Sequence, residues 1–72
     1  MLCTVIGLGR FTDKDKKEKC ALYVGYDRAQ VSGQATRALI LDSSLVDRSI
    51  QPGDVVDVVV DFNGNVDSIN LT

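Results

Sequence analysis

The stretch DVVDVVVDFNGNVDSINL, residues 54–71, constrains the fold more than any other part of the chain. Two runs of β-branched residues flank Asn63-Gly64, the pair best suited to the positive φ angles of a type I′ turn. A two-residue loop at that pair makes Phe62 face Asn65, and counting back sets Val58 opposite Ile69 and Val56 opposite Leu71. Residues directly opposite share a face, so Val56, Val58, Ile69 and Leu71 gather into one buried patch while Asp57 and Asn70 point away. A slip of one residue would set Val58 against Asn70 and destroy the pattern. Pro52-Gly53, in QPGD, makes a turn that starts the first of the two strands.

Three further strands precede this hairpin. Residues 2–8 (LCTVIGL) are apolar on both faces and close on Gly7 and Gly9. Residues 20–26 (CALYVGY) alternate: Cys20, Leu22, Val24 and Tyr26 fall on one face, Ala21, Tyr23 and Gly25 on the other. Residues 35–41 (ATRALIL) form the third. GRFTDKDKKEK, residues 9–19, has no hydrophobic period and reads as a mobile hairpin loop. RAQVSGQ is a turn with its tip at Ser32-Gly33. In DSSLVDRSIQPGD, Ser44 and Asp47 have the spacing of a capping box for one or two helical turns, with Leu45, Val46 and Ile50 closing one end of the core. The expectation is an all-β fold, a small five-stranded antiparallel OB-like barrel with one short helical turn after strand three, occupying residues 1–72 as a single domain.

A chain of 72 residues buries only about 60% of its unfolded surface, so its core is small. No apolar run approaches the roughly 20 residues of a membrane helix, and MLCTVIGLGRF lacks the basic and long apolar regions of a signal peptide. The expected location is cytoplasmic, with no membrane partner. In that compartment Cys3 and Cys20 are read as buried free thiols, a disulfide between them being the alternative. The chain has no histidine, and two cysteines do not complete a zinc site. Its aspartates are dispersed along strands, DFNGNVD is too short for a calcium loop, and GLGRF lacks the glycine pattern of a phosphate loop. The chain is therefore read as a non-enzyme without cofactor or metal.

Charge divides along the chain. Residues 1–40 carry seven basic side chains against four acidic ones, a balance of +3, whereas residues 41–72 carry one against six, a balance of −5. The first half attracts phosphates and the second opposes indiscriminate adhesion. Taken alone, KDKKEK reads as a solvated loop of alternating sign. Tyr23 adds a ring between Ala21 and Gly25, either an accessible stacking platform for a base or a side chain packed across the sheet against the first strand. Phe11, beside Arg10, supplies a second ring, and Arg37 a phosphate contact.

The order of these features resembles the small single-stranded-DNA-binding proteins of filamentous phages, which are dimeric OB-like barrels. The shared features are a strand, a long polar hairpin loop, an aromatic-bearing second strand, an apolar third strand, a PGD turn and a final hairpin. The chain departs from that pattern in its net charge of −2 and its four aromatic residues. The resemblance implies sequence-tolerant binding of single-stranded nucleic acid, DNA foremost, in a phage or mobile-element setting, with Phe11, Tyr23 and Tyr26 as stacking rings. The candidate binding residues are thus Arg10, Phe11, Lys14, Lys16, Lys17, Lys19, Tyr23, Tyr26 and Arg37. A homodimer is expected, since a chain this small with two apolar faces on its first strand needs one of them covered. The alternative is a protein-interaction or inhibitory module that uses the acidic hairpin or an exposed strand edge.

Overall fold

The computed structural model describes all 72 residues and consists of one antiparallel sheet. Five strands follow one another: β1 (Leu2–Thr12), β2 (Glu18–Asp27), β3 (Gln34–Asp42), β4 (Val55–Val60) and β5 (Val66–Leu71). A single 3-10 turn, η1 (Ser43–Leu45), stands between β3 and β4. The strands lie side by side in the order β3-β2-β1-β4-β5. No helix is long and apolar enough to cross a membrane.

β1 is the spine. Its first residues pair with β4, Cys3 opposite Val56, and its length pairs with β2, from Thr4 opposite Gly25 to Thr12 opposite Glu18. A bulge at Ile6 separates the Val5–Val24 pair from the Gly7–Tyr23 pair. Such an insertion bends a strand. It also lets Val5 and Leu8, an odd number of positions apart, face the same side, opposite Val24 and Leu22.

On that inner side lies one core of eleven residues, Cys3, Val5, Cys20, Leu22, Val24, Leu41, Val46, Ile50, Val56, Val58 and Ile69. Val46 and Ile50 cap it as the sequence leads one to expect, with Leu45 packed beside them. The core holds no aromatic ring. Both cysteines are free thiols within it, and burial pushes the Cys3 thiol above its ordinary pKa.

Several expectations need correction. The sheet does not close into a barrel, because its edge strands β3 and β5 do not pair. β5 has six residues broken by a bulge, and so presents β3 with no regular edge to close against. Residues 9–19 are not a mobile loop: β1 and β2 run on to Thr12 and Glu18, leaving only the tight turn Asp13–Lys17. The short helical turn expected after β3 is present as three residues of 3-10 helix, but the capping box is not, since no side chain caps it. The carboxylate of Asp47 accepts instead from the backbone N–H and the hydroxyl of Ser49, both at 2.8 Å.

The hairpin pairs Val58 with Ile69 and Val56 with Leu71 as its pattern requires, but the turn is of another type. Asn63 does not have positive φ; Gly64 does, at 82°. Gly64 N–H donates to the Asp61 carbonyl at 3.1 Å and Asp61 N–H to the Asn65 carbonyl at 2.8 Å, a three-residue loop with glycine in the left-handed position. The extra loop residue shifts the pairing by one, and a bulge at Asp67 shifts it back. Leu71 shares the inner face but stays 48% exposed, because β5 is an edge and nothing covers its end.

Candidate nucleic-acid interface

Strand alternation gives the sheet a second, outer face. On it stand Thr4, Gly9 and Phe11 of β1, Lys19, Ala21, Tyr23 and Gly25 of β2, and Ala38, Ile40 and Asp42 of β3. Tyr23 is 50% exposed and Phe11 43%. Around Tyr23 the neighbours are small: Gly7 and Ala38 lie directly across, Ala21 and Gly25 along the strand. A methyl group on Gly7 would touch the Tyr23 ring at 4.0 Å, so the ring leans over Gly7, while the side chains of Ile6 and Gln34 cover Gly25. Tyr23 thus packs across the sheet against β1, and half of it remains accessible. Phe11 lies four positions beyond Gly7 along β1, which sets the two rings roughly 13 Å apart at about 3.3 Å per residue.

At the Phe11 end of this face is the turn Asp13–Lys17. The Asp13 carboxylate accepts from the N–H groups of Asp15 and Lys17, each at 2.9 Å, and Lys16 takes the left-handed position with φ 61°. This holds Lys14, Lys16 and Lys17 at the tip, all exposed. Lys19 is less free, since its ammonium donates to Asp42 at 2.9 Å across the β2–β3 pair. That hydrogen bond raises the pKa of Lys19 and lowers that of Asp42. Asp47 is likewise lowered, by its bonds from Ser49.

Arg10 points to the other side of β1, opposite Cys20. Its guanidinium donates to the carbonyls of Ser43 at 3.2 Å and Val46 at 3.0 Å and to the Ser43 hydroxyl, fastening β1 to η1. Beside it a cleft of about 250 Å³ is lined by Arg10, Phe11, Thr12, Glu18, Ser43 and Arg48. Arg48 has no ion pair, and it brings a cation to the cleft that Phe11 also lines. Sequence reasoning passed over it because it lies in the acidic half; that it is the only cation of residues 41–72 was the available signal.

Tyr26 and Arg37 do not join this group. Both lie on the inner face, Tyr26 half-buried against the core and Arg37 opposite Val24. Phe62, at the tip of the β4–β5 turn, is fully exposed and was also passed over. The sequence-derived residues thus separate into an outer group of Phe11, Lys14, Lys16, Lys17, Lys19 and Tyr23, a structural Arg10, and an inner pair, Tyr26 and Arg37. Compared with family models, with curated proteins and with solved structures, the chain matches none.

Proposed function

We propose that this chain is a single-stranded nucleic-acid-binding protein, foremost for DNA and of phage or mobile-element origin, built as an open OB-like half-barrel. One observation carries the reading: no aromatic ring enters the core, and three of the four stand at the surface, two of them on one face. Aromatic side chains ordinarily dominate core packing, because each buries a large apolar area. A ring left in water beside small neighbours offers a flat surface on which any base stacks, whatever its sequence. Lys14, Lys16 and Lys17 at one end, with Arg48 in the cleft that Phe11 lines, meet the phosphates. In OB folds the face of strands two and three, with the loops joining strands one to two and four to five, binds oligonucleotides. Tyr23 and the lysine turn occupy the first two of these places, and Phe62 the third.

Fluorescence polarisation with a labelled single-stranded oligonucleotide tests this. Tyr23→Ala weakens binding by about 1 to 3 kcal/mol, the worth of one stacked base, and leaves the fold intact because the side chain is half in solvent. Unchanged affinity in that variant would remove the platform.

The homodimer belongs to the same proposal. Beyond the rings, the outer face continues onto Leu2, Val55 and Val59, all exposed and aliphatic. These offer nothing to a base, and a second copy covers them at a gain of roughly 25 cal/mol for each Å² of apolar surface removed from water. Sedimentation at micromolar concentration should give the dimer mass. A monomer mass would remove the dimer and leave the stacking face untouched.

A further inference from the structure

Because the sheet stays open, its inner face has a mouth that the nucleic-acid reading does not use. A cleft of about 100 Å³ is lined there by Tyr26, Arg37, Leu39, Val58, Val60 and Val66, among others, and reaches from β3 to β5. Three features coincide in it. Its walls are apolar, and Val60 remains 54% exposed although it continues the inner-face alternation of Val56 and Val58. Its rim carries Arg37, which is exposed and has neither an ion pair nor a hydrogen-bond partner. It lies between two strand edges whose outward backbone groups make no hydrogen bond, since β3 pairs only with β2 and β5 only with β4.

We infer that this mouth is an acceptor for an extended peptide segment of a protein partner, which adds to the free β3 edge and carries a carboxylate to Arg37. An extended chain is the occupant that satisfies rows of unpaired N–H and C=O groups, and side chains at alternate positions fill the apolar wall. The two edges differ in readiness. β5 is short and bulged, the usual protection of an edge, whereas β3 pairs regularly with β2 over nine residues and has no proline. Arg37 and Leu39 are two apart on one face of β3, so the partner's carboxylate and its aliphatic side chain are also two apart. A second copy pairing through its own β3 edge is the poorer occupant, since the same face of that strand carries Ala35, Arg37, Leu39 and Leu41 and so brings no carboxylate to Arg37.

Selection of a random peptide display library on the immobilised wild-type protein tests the inference, followed by synthesis of an enriched peptide and hydrogen exchange on its complex. Enriched peptides should carry an acidic residue two positions from an aliphatic one and should slow amide exchange in β3. Arg37→Glu and Val60→Lys, both at exposed positions, should each weaken the peptide by about tenfold or more. Tyr23→Ala, on the opposite face, should leave peptide affinity unchanged, which separates this site from the stacking face. The inference is overturned by a library with no enriched peptide, by peptides indifferent to both mouth variants, or by protection away from β3. Self-association of the wild type that Val60→Lys abolishes would overturn it in favour of a second copy.

Discussion

Two aspartates repeat one device. In Asp13–Lys17 and in Asp61–Asn65 the first carboxylate accepts from the N–H groups two and four residues on, and the fourth residue is left-handed. The two turns differ at that fourth position, which is Gly64 in one and Lys16 in the other. A side chain held there costs on the order of 1 kcal/mol, since its Cβ crowds the neighbouring carbonyl. Glycine removes that strain but gains freedom in the unfolded chain. Lys16→Gly should therefore stabilise the fold by a few tenths of a kcal/mol, up to about 0.6, read as a higher urea midpoint at unchanged slope. An unchanged or lower midpoint would show that the strain is not there. That a lysine occupies the strained position is in keeping with the turn's proposed work, because it is one of three cations at the tip.

The hairpin β4–β5 is held in register by two compensating irregularities, the three-residue loop and the bulge at Asp67. Deleting Asp67 should keep Val58 opposite Ile69, because the loop alone then sets the same pairing. Cross-strand contacts in an NMR spectrum read this directly, and loss of the Val58–Ile69 contact would contradict it. The same hairpin shows how sequence reasoning reached the right pairing by an incorrect turn. The apolar alternation of Val56, Val58 and Ile69 specifies the pairing through burial, whereas Asn63-Gly64 is compatible with several loops. Strand existence was legible for all five strands. The extension of β1 and β2 through polar residues was not, because Arg10, Thr12, Glu18 and Lys19 have no apolar period, and cross-strand pairing with the Asp13 turn holds them. Tyr23's outward direction followed from alternation alone. Arg10's fastening to η1 and Arg37's inner placement depend on how β1 bends and β3 pairs, which no local pattern reports.

The molecule is elongated, 39 × 27 × 22 Å, and the β1–β2 and β4–β5 turns lie towards opposite ends of β1. Lysines gather at the β1–β2 turn and Asp57, Asp61 and Asp67 along the β4–β5 hairpin, while Asp42 and Asp47 of the acidic half lie near the lysine end, beside Lys19 and Arg10. On the proposed reading, the lysine turn draws the phosphates of a single strand to one end of the outer face. In that reading stacking on Phe11 and Tyr23 would respond little to salt, whereas phosphate contacts from the lysine turn would release counterions as they form. Affinity for a single-stranded oligonucleotide measured across a salt series therefore tests the central claim most directly. The wild type should bind at low salt and weaken steeply as salt rises, with a logarithmic slope of about −0.7 for each phosphate neutralised. Replacing Lys14, Lys16, Lys17 and Lys19 together by Gln should flatten that slope by up to about 3, while Tyr23→Ala lowers affinity and leaves the slope alone. No binding by the wild type at low salt, where attraction between opposite charges is strongest, would contradict the account.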